Sequence, residues 1–313
     1  MGMNTTALGP DKLRGYARLG NLYFFDPHLF IFAGLSLLPT EILSDGRNWV
    51  VFVALSLGYF LVHHATASFD DITGFKDGSD ARNYLGNPSY LRKAESKPLI
   101  TGQLELDEAR WCAWSTAIVG GVLVFVGFLL APHHPVWLIA FSFIAILLCV
   151  QYSYGLNLSR IGGQELVLFF GFGLPVAVFY TLFSGTLAAV AVMQAVLIGL
   201  WAVLVSAYSN MNDLEVDRSN GRLNLATTTD ERGYKRIVAI LSVAEPVIVI
   251  CFALATSVSW WYAVALIPVY ALRLVQFRKG FAARDPLLAR QYGRRIHELG
   301  IALLVVVNLV VLH

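Results

Sequence analysis

Stretches of about twenty predominantly apolar residues follow one another along the whole chain, at roughly 22–41, 48–67, 111–131, 136–154, 165–184, 187–208, 236–256, 259–277 and 295–312, each the length an α-helix needs to cross a bilayer core. The pattern predicts about nine transmembrane helices. Lipid offers backbone amides no partners, so each span must close its own hydrogen bonds, and the blocks lack the apolar–polar alternation of a β-barrel strand. With 57% hydrophobic and 14% charged residues, the 313-residue chain carries more apolar side chain than one soluble core of its size can hide. A formal charge of +2 gives no basis for a nucleic-acid partner. Cys112, Cys149 and Cys251 fall inside apolar blocks without metal-ligand spacing. The expected architecture is one all-α transmembrane domain over residues 1–313, with a polar tail at 1–20, no cleavable signal peptide and no soluble domain.

Connections between the blocks alternate in charge. Of the 23 Lys and Arg residues, only Arg47 falls in the short first, third, fifth and seventh connections. The others lie in the tail, in loops 68–110, 155–164, 209–235 and 278–294, or at adjacent helix ends. The excess of positive charge places that side, and the N-terminus, in the cytoplasm and the C-terminus opposite. Trp49, Trp137, Trp260 and Trp261 sit near the outer block ends, where an interfacial aromatic belt forms.

The two longest loops, 68–110 and 209–235, each open on clustered acids. The first cluster holds Asp70, Asp71, Asp77 and Asp80; the second runs Asn210-Met-Asn-Asp213-Leu-Glu-Val-Asp217. On a helix, Asn210, Asp213 and Asp217 share one face. Mg²⁺ takes hard oxygen ligands and is usually held by one or two carboxylates plus substrate phosphates. Two facing acid clusters therefore suit a Mg²⁺-bridged diphosphate, whose C–O bond breaks more easily as the metal neutralises developing charge. Lys76, Arg92, Lys93 and Lys97 follow the first cluster, and Arg160, Arg218 and Arg222 lie in the other cytoplasmic loops, as further oxyanion stabilisers. The metal candidates are Asp70, Asp71, Asp77, Asp80, Asp213 and Asp217.

These residues resemble the UbiA superfamily of intramembrane prenyltransferases, which has nine helices and Asp-rich motifs after the second and sixth. DLEVDRSNGR at 213–222 is similar to its second motif, especially in the menaquinone-biosynthesis branch. KPLITGQL at 97–104 resembles its basic-Pro-Leu stretch, and YSYGLNLSRIGGQELVLFFGFG at 152–173 its fourth-to-fifth helix region, with Glu165. The resemblance spans about residues 20–310. It implies a helical ring around an apolar cavity, Mg²⁺, and a prenyl diphosphate donor. By position, it carries Asp70, Asp71 and Asp80 into the first motif and Asp213 and Asp217 into the second. The family's first motif commonly begins with Asn and has Asp four residues on; here those positions read Asp70 and Gly74. Asp26-Pro-His28 likewise departs from the usual opening of the quinone branches.

The expected reaction is transfer of an isoprenoid from a prenyl diphosphate to a small-molecule or lipid acceptor, with an aromatic ring favoured. Cyclisation of the isoprenoid itself, as in membrane terpene cyclases of the same superfamily, is the alternative, since the first motif is altered. A transporter fits less well, because the acids lie at a membrane rim rather than at the midplane. His63 and His64 precede Asp70 and Asp71 by two helical turns, and His64 is the candidate proton acceptor. Tyr152 and Tyr154 are candidates for stabilising an allylic cation, with Asn210 as a further substrate contact and Glu165 either another or a charge at a helix N-terminus. Glu245, inside the seventh block just before Pro246, is an intramembrane acid and so a functional candidate or a local helix partner.

Overall fold

The computed structural model describes residues 9–22, 28–86, 89 and 91–312. Asp26 and Pro27 of the unusual opening, and the C-terminal His313, lie outside the described residues. Every apolar block contains helix, and the described residues form no strand beyond two isolated bridges.

The polar α1 (Pro10–Leu19) precedes α2 (Phe30–Ser36) and α3 (Thr40–Ser44). The first apolar block is therefore not one described helix. Pro39 disfavours helix at Leu38 before it and stands at the N-cap of α3. α4 (Gly46–Lys76) runs past the expected boundary at 67, so Asp70 and Asp71 are helical rather than in a loop. α5 (Ser79–Tyr84) follows after a tight turn. α6 (Leu106–Leu130), α7 (Val136–Val150), α8 (Gln164–Ser184) and α9 (Ala189–Asn212) match the third to sixth blocks within a few residues. The short α10 (Leu214–Ser219) and α11 (Leu225–Thr228) lead into α12 (Glu231–Ala255). The eighth block is broken at Leu266 into α13 (Trp261–Ala265) and α14 (Ile267–Phe277), with Pro268 in the first turn of α14. α15 (Pro286–Val311) starts nine residues before the expected 295, which puts Arg290, Arg294 and Arg295 on helix.

Five helices, α4, α6, α8, α9 and α12, are each long and apolar enough to cross a membrane by length and composition; α7, at 15 residues, is shorter. α9 is buried nearly all round, as a helix apolar on every face should be. α6 and α12 expose Ile118, Val122, Leu129, Val243, Val247 and Leu254, an outward apolar surface suited to lipid. Trp49, Trp137, Trp260 and Trp261 are all exposed.

Small residues set the closest helix approaches, as is usual where lipid supplies no hydrophobic drive between helices. A Cβ on Gly58 would sit 2.9 Å from the Gly120 carbonyl, joining α4 to α6, and one on Gly173 would sit 2.2 Å from the Ala195 carbonyl, joining α8 to α9. Polar contacts add to this at depth. The Asn308 Nδ2 donates to Ser36 Oγ at 2.8 Å, and Gln194 Nε2 and Tyr262 Oη donate to Asn308 Oδ1 at 2.7 and 2.6 Å. One side chain of α15 thus ties α2, α9 and α13. Helices α4, α8, α9 and α15, with the loops after α4, α7 and α9, wall the cavities described next.

Candidate active site

The two acidic motifs face one cavity of about 480 Å³. Asp70 and Asp80 line it from the first motif, Asn210, Asp213 and Asp217 from the second. Arg92, Lys93, Lys97, Arg222 and Arg290 supply the cations, and Tyr152 stands on the wall. Four carboxylates and five cations thus line a single chamber, an arrangement that can take a multiply charged anion and its counter-ion.

Local structure explains how the first motif reaches the cavity. The α4 helix ends at Asp77, whose carboxylate accepts from the Ser79 N–H at 2.9 Å. Gly78 takes φ +73°, a left-handed conformation glycine adopts without strain, and the chain turns back into α5. That return lays the Asp80 carboxylate over Gly74: a Cβ at position 74 would stand 2.7 Å from the Asp80 Cγ. The space of a side chain at 74 is thus filled by the carboxylate of residue 80.

Basic residues hold these acids in ion pairs. Lys97 Nζ donates to Asp71 Oδ1 at 2.5 Å and lies 3.1 Å from Asp80 Oδ1. Arg92 forms a bidentate pair with Asp213, at 2.5 and 3.0 Å. Arg92 and Lys97 also sit 5.1 and 5.3 Å from the Tyr84 ring centre, within cation–π range. Arg222 Nε lies 3.8 Å from Asp217 Oδ1, and Asn224 Nδ2 donates to Asp217 Oδ2 at 3.0 Å. The Ser153 hydroxyl donates to Asp70 at 2.6 Å. Burial pushes the Asp217 carboxyl up to about 6, against the opposing pull of Arg222. Burial likewise raises Asp80, with Lys97 opposing. Burial works against the Lys97 ammonium, yet Asp71 and Asp80 carry it well above its ordinary value.

Several expected site residues stand elsewhere. The six acids proposed as metal ligands do not form a preformed cage. Among the described residues, no three Asp, Glu, His or Cys side chains gather closely enough to hold an ion. Asp77 is spent on its turn, and Asp71, fully buried, faces Lys97 behind the cavity wall. Lys76 is exposed beyond the end of the motif face. Arg160 donates to the Asn220 carbonyl at 2.7 Å, and Glu165 accepts from the Leu225 N–H at 2.9 Å. Both pin the second motif's loop from outside rather than line the chamber. Tyr154 packs on Phe69 and Trp114, with ring centres 4.8 and 5.3 Å away. His64 turns from the cavity to α1, where Nε2 meets the Tyr16 carbonyl at 3.1 Å. Its neighbour His63 lines a second chamber instead. The exchange follows from helix geometry, since adjacent residues point about 100° apart. Glu245 reaches neither chamber and pairs with Arg273 at 2.5 Å, both fully buried.

Other cavity residues were not singled out in the sequence. Arg290 lines both chambers, and its Nε is buried without a hydrogen-bond partner among the described residues. Gln164 Nε2 donates to Asn210 Oδ1 at 2.9 Å and Ser206 Oγ at 2.8 Å, fixing the second motif's first residue. Arg290 had a signal: a basic stretch opening the ninth block on the same side as both motifs. Gln164 and Tyr84 had none.

The second chamber, of about 260 Å³, opens from the first. Asp70, Tyr152, Leu168, Phe172, Val205 and Arg290 line both. Its own walls are mostly apolar: Tyr59, Val62, Ala67, Cys149, Val167 and Gly171, with His63 and Thr66. A charged mouth leading into a greasy chamber inside a helical membrane protein suits an amphiphile with an anionic head and an apolar tail. The sequence profile of the UbiA prenyltransferase family matches residues 29–296, and the chain belongs to that family. It is 24% identical over 226 residues to a 4-hydroxybenzoate octaprenyltransferase of Burkholderia vietnamiensis, covering 72% of this chain and 68% of that protein. Its fold is that of a UbiA homologue from Aeropyrum pernix K1 (TM-score 0.66, 14% identity, 94% of this chain and 98% of that one). A UbiA homologue from Archaeoglobus fulgidus, solved bound to DMAPP and Mg²⁺, matches at TM-score 0.64 and 15% identity over 95% of this chain and 99% of that one. A digeranylgeranylglyceryl phosphate synthase matches at 0.63 and 14% over 96% and 99%.

Proposed function

We propose that this chain is a Mg²⁺-dependent intramembrane prenyltransferase that moves an isoprenoid from a prenyl diphosphate to an acceptor, with an aromatic ring favoured. The observation that carries the reading is the single polar chamber shared by both acidic motifs and continuous with an apolar one. The Archaeoglobus homologue's DMAPP and Mg²⁺ support donor and metal, and the Burkholderia relative's activity supports transfer over cyclisation.

The donor set suits Mg²⁺. Asp70, Asp213 and Asp217 present hard carboxylate oxygens to the chamber, and the ion asks for only one or two of them beside phosphate oxygens. When bound, it would supply neutralisation of the charge that develops on the departing diphosphate. Arg92, Lys93, Lys97, Arg222 and Arg290 bind the diphosphate oxygens and stabilise the same charge. The Arg92–Asp213 pair gives up part of its contact to do so, each side gaining a new counter-charge. Val62, Val167, Leu168 and Phe172 hold the tail and exclude water while the allylic carbon is electron-poor. Tyr152, at the junction, offers its ring face to that carbon. The positive-side loops, and so the chamber mouth, face the cytoplasm.

The test is incubation of purified protein with Mg²⁺ and prenyl diphosphates, with and without a hydroxybenzoate or lipid extract, reading pyrophosphate and hexane-soluble products. Acceptor-dependent pyrophosphate release, lost in Asp213→Ala, supports transfer. A cyclic hydrocarbon formed without any acceptor would replace it with cyclisation.

A further inference from the structure

The apolar chamber has a floor, and a tyrosine stands in it. Beyond the 260 Å³ chamber lies a smaller void of about 80 Å³ between α4, α6, α7 and α8, lined by Leu55, Val124, Phe128, Ile146, Leu174 and Val178 among others. Tyr59, Val62, Cys149 and Gly171 line both spaces, so they form the partition. Of the four, Tyr59 is the largest and the one anchored across it: its hydroxyl donates to the Gly171 carbonyl at 3.1 Å.

That carbonyl is available for a reason written in the sequence. In an α-helix it would accept from the N–H four residues on. Here that residue is Pro175, inside α8, which has no N–H to give. A carbonyl left bare in an apolar membrane interior is costly, so the tyrosine that satisfies it is held firmly. Its ring is braced on the other side by Phe30, with centres 4.4 Å apart, and stacks on His63 at 6.3 Å.

We propose that Tyr59, latched to the carbonyl freed by Pro175, sets the length of isoprenoid this enzyme accepts. The inference rests on the prenyl diphosphate reading and deepens it. Asp70 at the mouth and Tyr59 at the floor lie eleven residues apart on α4, a rise of about 16 Å. An isoprene unit adds four bonds to an extended chain, about 5 Å if three backbone bonds span about 3.5 Å, so the chamber holds about three units. A farnesyl tail reaches the floor, and a tail one unit longer meets the tyrosine ring. With the ring removed, the void beyond becomes a continuation of the chamber between the helices.

The experiment uses non-ionising thiolo-diphosphates of geranyl, farnesyl, geranylgeranyl and octaprenyl chains, with binding to the purified full chain read by thermal stabilisation and displacement. Wild type is expected to bind the farnesyl analogue tighter than the geranylgeranyl one by about tenfold or more, the size of discrimination a filled apolar pocket gives. Tyr59→Ala removes that preference, and Tyr59→Phe, which keeps the ring and loses the latch, weakens it. Ala145→Phe, placed in the outer void, leaves farnesyl binding unchanged and restores the preference in the Tyr59→Ala background. Equal binding of farnesyl and geranylgeranyl analogues by wild type overturns the proposal. So does a preference that survives in a folded Tyr59→Ala protein. Because binding is read without turnover, a protein that sorts these analogues by length yet releases no pyrophosphate from true donors would sink the proposed reaction and leave the floor in place.

Discussion

Two sets of buried ion pairs coexist in this protein and serve opposite ends. Around the polar chamber, Lys97 joins Asp71 and Asp80, and Arg92 grips Asp213. Across the helical assembly, Glu245 and Arg273 pair between α12 and α14, with Gln276 accepting from the same guanidinium. Both sets are buried and well matched in charge. They differ in what lies beside them. Arg92, Lys97, Asp80 and Asp213 border a cavity through which a charged ligand can enter and exchange partners. Glu245 and Arg273 border none of the described chambers, so their charges meet only each other and their neighbours. Burial and pairing alone therefore do not mark a functional acid in a membrane protein; access does.

Breaking each pair should separate the two roles. Asp213→Ala is expected to lower pyrophosphate release by about 100-fold or more, the scale of losing a key charge contact to the transition state. Its thermal midpoint should shift little, since Arg92 is left facing a wet cavity. A large loss of stability with activity retained per folded molecule would reverse that assignment. Glu245→Ala should do the opposite, destabilising the fold by about 3–5 kcal/mol because it strands a buried guanidinium. Thermal unfolding in detergent checks this, together with Glu245→Met/Arg273→Met, which should recover most of the loss.

A subtler break lies within the first motif. Gly74→Ala places a Cβ where the Asp80 carboxylate now rests. Donor affinity measured at limiting Mg²⁺ should fall by about tenfold, as expected when a positioned charge is displaced by an ångström or so. An unchanged Mg²⁺ titration would show that Asp80 does not act at the site. The smallest effect is expected at His64, whose Nε2 meets the Tyr16 carbonyl. His64→Gln should cost about 1 kcal/mol of stability and leave turnover alone. A changed pH–rate profile in that variant would restore His64 to the chemistry.

Much of this was legible in the chain. Apolar blocks long enough to span are visible because the bilayer imposes one length and one backbone solution on every crossing. The two acidic motifs stood out because charge is scarce in such a sequence. Their finer division did not show. Asp70 and Asp71 are neighbours of one type, yet one lines the chamber and the other is buried against Lys97. His63 and His64 divide in the same way, one to a cavity and one to α1. Arg160 and Glu165 were candidates by charge and position, and the fold sets both against the backbone of the loop at 220–225.

By itself, then, the sequence determined the membrane class, the helical solution, the pairing of two acidic motifs with a basic surround, and the proline that frees a carbonyl in α8. These are one-dimensional properties: lengths, scarcities and a missing N–H. Which side of each helix faces the cavity, which carboxylate answers which cation, and where the apolar chamber stops were decided by tertiary structure alone. Adjacent residues on a helix point about 100° apart, so only the packing of α4 against α6, α7 and α1 selects the one that faces the cavity.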